Sequence, residues 1–130
     1  MLRREFLHSL FALAGFAPGT SLARQAAPPR TLLLQTSPVA GFQYHDGEAV
    51  RPALREGCAL DLVREPHNPH DGQAVRIDWR GRKLGYLPRV ENHAAAQLLD
   101  RGERLAARIA ILRESRDPWR RIGIEVSLVI

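Results

Sequence analysis

The stretch from Ala74 to Leu87 constrains this chain most. Val75, Ile77 and Trp79 alternate with Arg76 and Asp78, the period of a strand with one face against a core. Arg80-Gly81 is a turn pair and Lys83-Leu-Gly-Tyr-Leu87 returns beside the first run, so the segment predicts a β-hairpin. A lone hairpin is marginal in water and needs further strands or a helix against its apolar face. The rest of the chain offers them. Thr31–Thr36 and Val39–Tyr44 read as two halves of one long strand broken at Pro38 and Gly41, and His45-Asp46-Gly47 as a tight turn. Leu60–Arg64, Leu105–Leu112 and Ile122–Ile130 read as further strands, with Glu114–Arg120 looping between the last two. Glu91–Asp100 is helical: it holds good helix formers, Pro88 precedes it and Gly102 follows as a C′ residue. The expectation is a mainly β fold with one or two helices, arranged as a small barrel or a strongly curled sheet. Ala95, Leu98 and Leu99 are expected to face its interior.

The 130 residues have room for one domain and a leader. Arg3 and Arg4, followed by Phe6 and Leu7, resemble a twin-arginine export signal. The apolar stretch Leu10–Ala17 is too short to span a bilayer, which takes about 20 residues. Ser21-Leu22-Ala23 offers a small-residue exit with cleavage after Ala23, and Ala26 or Ala27 a second one. Residues 1–30 are therefore expected to be a signal peptide and a stiff Pro-containing linker, and residues 31–130 the folded domain. The implied location is periplasmic or secreted, with no stable membrane span after processing. It is cytoplasmic if the leader is not used, as for a short amphipathic helix or a misassigned start.

A formal net charge of +5 suits polyanions such as nucleic acid or an anionic membrane surface. Nearly all of the cations are arginine, and Lys83 is the one lysine. Cys58 is the sole cysteine, which excludes an intramolecular disulfide and a multi-cysteine metal site; its apolar setting predicts a buried, inert thiol. No phosphate-binding G-x-x-x-x-G-K-[ST] run occurs, and Ser37, Ser115 and Ser127 have no context that suggests a triad. A metal-dependent nuclease would need clustered acids, and Asp71 stands without them. His67, His70 and Asp71, with His45, have zinc-ligand chemistry, but a loop offers no fixed i, i+4 geometry. No enzyme activity and no cofactor, zinc included, are expected.

Three stretches carry a resemblance. They are Val39-Ala-Gly-Phe-Gln-Tyr-His-Asp-Gly47, the run Leu62-Val-Arg-Glu-Pro-His-Asn-Pro-His-Asp-Gly-Gln-Ala-Val75, and Gly81-Arg-Lys-Leu-Gly-Tyr-Leu-Pro88 with its alanine-rich helix behind. In this order they are similar to the HIRAN domain family, over residues 31–130. The resemblance implies an OB-like β-barrel with a helical insertion, found fused to DNA-repair helicases or as a lone bacterial protein. In the fused form such a domain caps single-stranded DNA with a free 3′-hydroxyl. Residue by residue, Tyr44 keeps the aromatic of the first stretch, while Gln43 stands where an arginine is found and His45 where a second tyrosine is found. Asn68 and Asp71 match the residues expected to fix the terminal nucleotide and its hydroxyl. Tyr86 replaces a histidine, Arg89 supplies a cation where a lysine is found, and Trp119 is the candidate for a late stacking aromatic.

Single-strand binding needs an aromatic platform and cations along a groove, which Tyr44, Tyr86, Arg64 and Arg89 meet if they share a surface. The alternative is that both tyrosines pack into the barrel. Asn68-Pro69-His70-Asp71-Gly72 is also rich in residues that bond their own backbone. Two functions stay open: a non-enzymatic module for nucleic acid, in particular single-stranded DNA or DNA 3′ ends, and an exported module using the same groove for an envelope protein or another polyanion. Convergence of Tyr44, Asn68, Asp71 and Arg89 on one exposed groove is the test of carrying the DNA site across.

Overall fold

The structure, a computed structural model, describes residues 29–130, so the leader expected around Arg3, Arg4 and Ala23 lies outside the described residues. Six strands follow in chain order: β1 (Thr31–Pro38), β2 (Ala59–Glu65), β3 (Ala74–Trp79), β4 (Arg82–Tyr86), β5 (Leu105–Leu112) and β6 (Ile122–Val129). Two short helices accompany them, α1 (Gly47–Val50) and α2 (His93–Asp100). The strands form one antiparallel sheet in the order β1-β6-β5-β2-β3-β4.

Strand periodicity decides the core. Ile122, Ile124 and Val126 of β6 point inward at alternate positions, as do Ala107 and Ile109 of β5. Val75 and Ile77 of the hairpin join them, with Phe42, Leu54, Leu84 and Leu87. β2 bends from one half of the sheet to the other: Ala59 and Leu60 pair with β5, and Asp61–Glu65 pair with β3. Helix α2 lies against β2, β3 and β5 and buries Ala95 and Ala96, with Leu99 packed against the core. Its end is a Schellman arrangement in which Glu103 N donates to Leu98 O at 3.0 Å and Gly102 has φ of 85°. The hairpin turn is as expected, with Arg80 and Gly81 at φ 48° and 78°, the left-handed pair of a type I′ turn.

Three expectations need correction. The sheet does not close into an OB-like barrel. Val39–Tyr44 does not continue β1 as a strand, because Gly41 at φ 75° turns the chain into a 3₁₀ turn over Phe42–Tyr44. What remains of the closure is an isolated bridge, with Ala40 N donating to Tyr86 O at 2.8 Å and Tyr86 N to Ala40 O at 3.0 Å. Gly85 makes even that contact possible, since a Cβ there would run into the Ala40 carbonyl. Cys58 is only partly buried, packs against the core, and accepts from Arg55 N at 3.3 Å.

Candidate nucleic-acid interface

The run from Arg64 to Asp71 leaves β2 as a loop that holds its own shape. Asn68 Oδ1 accepts from the backbone N–H groups of His70 at 2.8 Å and Asp71 at 3.2 Å, while Asp71 Oδ1 accepts from Gln73 N at 2.9 Å. Asn68 Nδ2 reaches Glu65 Oε1 at 3.0 Å and the Tyr86 hydroxyl at 3.4 Å. Every polar atom of the Asn68 side chain is thus engaged inside the fold. Tyr86 comes from β4 and donates its hydroxyl to Glu65 Oε1 at 2.7 Å. Glu65 Oε2 in turn accepts from Arg76 at 2.8 Å, and Arg76 forks onto both carboxylate oxygens of Asp78 at 2.9 and 3.0 Å. Burial alone would raise the Glu65 pKa, but the hydrogen bonds from Tyr86, Asn68 and Arg76 outweigh it and hold the carboxyl below its ordinary range.

Between this loop and the hairpin lies an open cleft of about 360 Å³. His45, Asn68, Asp71, Tyr86 and Arg89 all line it. Arg89 is aimed by a 2.8 Å bond from its guanidinium to His70 O, and Asp71 Oδ2 accepts from Asn92 Nδ2 at 2.8 Å. His45 meets the Tyr86 ring edge-on at 5.9 Å between centroids. Burial, then the charge of Lys83, lowers its pKa, with Asp46 and Glu65 opposing.

Tyr44 and Arg64 are placed differently. Tyr44 is not among the residues that line the cleft; it is 76% exposed, next to His45 in the chain, on the turn anchored by buried Phe42. It does not pack into the sheet. Arg64 is not at the cleft: it forks onto Asp100 at 2.9 and 3.2 Å and caps Ala74 O at 3.1 Å, tying β2 to the end of α2. Trp119 is half exposed on the Pro118–Arg120 turn, which packs next to the turn that carries Tyr44. No group of three His, Cys, Asp or Glu side chains arranged for a metal ion occurs among the described residues.

The sequence did not reveal three residues of this region. Glu65 lies inside the family-like run but was given no role; its role comes from pairing across the sheet. Asn92 occupies the N-cap of α2 but makes no cap bond, spending its amide on Asp71 instead; its Oδ1 is buried without a partner. Lys83 also lines the cleft, and its one available signal was being the sole lysine of an arginine-rich chain.

Known proteins share this fold. The chain shares 34% identity over 67 residues, 48% of its length, with a Fanconi-associated nuclease 1 homolog from Oryza sativa subsp. japonica, and spans 6% of that relative. Among solved structures, a Lactobacillus plantarum protein superposes with a TM-score of 0.67 at 30% identity, covering 78% of this chain and 97% of that one. The HIRAN domain of human HLTF superposes with a TM-score of 0.60 at 18% identity, covering 75% of this chain and 78% of its own, a likeness of fold. The family model described as HIRAN domain matches residues 33–130, so this chain belongs to the HIRAN domain family.

Proposed function

We propose that this protein is a non-enzymatic module that binds DNA in the cleft, as a single strand with a free 3′ end. The carrying observation is the convergence of His45, Asn68, Asp71, Tyr86 and Arg89, scattered through the sequence, on one open cleft, with the exposed Tyr44 next to His45 in the chain. Asp71 retains lone pairs for a ligand hydroxyl beyond the bonds from Gln73 and Asn92. Arg89 presents a cation for a phosphate, and the exposed ring of Tyr44 offers a base a stacking face. Asn68 contributes by shaping the loop. These contacts require no metal or other cofactor.

A second reading has its own observation, the twin-arginine-like run at Arg3 and Arg4, which supports export to the periplasm or beyond the cell. There the same cleft would take an envelope protein or another polyanion. Fluorescence anisotropy with labelled oligonucleotides separates the two. Preference for a free 3′-hydroxyl over a 3′-phosphate and over duplex, lost in Asp71→Ala, supports end recognition. Weak binding that ignores end chemistry and vanishes as salt rises rejects it in favour of the second reading.

A further inference from the structure

The cations of this half of the molecule divide into those the fold consumes and those it leaves free. Arg64 is tied to Asp100, Arg76 to Glu65 and Asp78, and Arg82 to Asp46. Lys83 makes no salt bridge and no side-chain hydrogen bond among the described residues, yet it lines the cleft. Its ammonium sits over the face of the Tyr86 ring, 4.6 Å from the centroid. The ring is held at its hydroxyl by Glu65 and meets His45 edge-on.

Resting on the nucleic-acid reading, we propose that Lys83 binds a backbone phosphate of the strand, and that Tyr86 is the seat of this ammonium rather than a platform for a base. An ammonium is a compact, strongly hydrated charge that gains little from a ring alone and binds phosphate as a point charge. No carboxylate pairs with it among the described residues: Asp71 accepts from Asn92 and Gln73, Glu65 is paired with Arg76, and Asp46 with Arg82. With one ring face covered by Lys83, base stacking falls to the exposed Tyr44. Phosphate contacts then come from Lys83 on the hairpin and Arg89 after it.

The test uses the full chain and a labelled single-stranded thymidine oligonucleotide with a free 3′-hydroxyl. Because Lys83 is the only lysine, acetylation of a side-chain amine reports on it alone by mass spectrometry. Saturating oligonucleotide should slow that acetylation about fivefold or more. Lys83→Gln should weaken binding about tenfold at low salt and lower the salt slope by about 0.7, the value for one phosphate contact on a single strand, while Lys83→Arg stays close to wild type. Wild-type binding with unchanged acetylation, and with Lys83→Gln at wild-type affinity and slope, overturns this subsite and leaves the nucleic-acid reading standing. Absence of wild-type binding overturns that reading itself, and the subsite with it. The protection arm needs no variant, so misfolding of Lys83→Gln does not obscure the result.

Discussion

In the half of the sheet made by β1, β6 and β5, the inward side chains are Ile109, Ile122, Ile124 and Val126, each 2% exposed or less. The cross-strand ion pair there, Arg108 with Glu125, lies at the surface. The half made by β2, β3 and β4 has its own apolar face, but adds a connected polar chain. It runs Asp78–Arg76–Glu65–Tyr86 and on through Asn68 to Asp71 and Asn92. The difference bears on where a binding site can sit. Apolar burial is non-directional and holds a strand without aiming a side chain at solvent. A satisfied hydrogen-bond network fixes orientation, and the cleft opens on the half that has one.

The largest effect should come from the apolar half. Ile124→Ala leaves a cavity in a fully buried site and should cost about 2–5 kcal/mol in denaturant unfolding. The cleft should keep its ligand affinity wherever the variant remains folded. A loss under about 1 kcal/mol would show that this half does not rest on its core.

Glu65→Ala probes the other half. It strands the Tyr86 hydroxyl, one arm of Arg76 and the Asn68 amide together. The expected cost is about 1.5–3 kcal/mol, because the lost bonds involve a charged acceptor. Unlike Ile124→Ala, it should also weaken oligonucleotide binding in the folded protein, since Tyr86 and the loop lose their aim. A double-mutant cycle with Tyr86→Phe should show coupling, on the order of 0.5–3 kcal/mol. Strict additivity would mean the network is only a set of separate contacts.

The two halves also differ in how well the sequence announces them. Alternation in β3, the strand-like runs over β5 and β6, the Arg80-Gly81 turn and the helix stop at Gly102 are local signals, and each matches an observed element. Val39–Tyr44 had the composition of a strand, yet Gly41 and the burial of Phe42 override it. The Gly47–Ala53 helical segment gave no period long enough to detect. At the cleft, Asn68, Asp71, Tyr86 and Arg89 were legible because a family-like run marks them. Arg64 belongs to the same run and faces elsewhere, since its strand position sets it against Asp100. Glu65, Lys83 and Asn92 act through partners 21, 3 and 21 residues away along the chain, and for two of these no sequence rule links them.

Tyr44→Ala sharpens the comparison from the ligand side. The ring is 76% exposed and makes no hydrogen bond that the fold needs, so stability should stay within about 0.5 kcal/mol. Affinity for single-stranded DNA should fall by about 1–3 kcal/mol if a base stacks there. Equal affinity in the two proteins would remove Tyr44 from the site. A loss of stability beyond about 1 kcal/mol would show that the Tyr44 ring, too, belongs to the fold.

The smallest effect is a dependence on pH that originates in the polar half. His45 has a folded pKa below 6.5, from burial first and Lys83 second, so the folded state resists the proton that the unfolded chain accepts. Stability should therefore decline as pH falls from about 6.5 toward the lower folded value. Glu65 has a folded pKa below 4.5, because bonds from Tyr86, Asn68 and Arg76 outweigh the opposing effect of burial. Its contribution is present above about 4.5 and is lost as pH falls through the folded value. The two losses have the same sign and act in sequence, His45 first. Denaturant midpoints measured from pH 7 to 3 should fall in two stages in the wild type. His45→Gln should flatten the upper stage and Glu65→Gln the lower one, the latter from a weaker starting point at neutral pH. If Ile124→Ala reshaped this profile as much as Glu65→Gln does, the titrating groups would not be confined to the network around the cleft, and the contrast between the two halves would lose its electrostatic side.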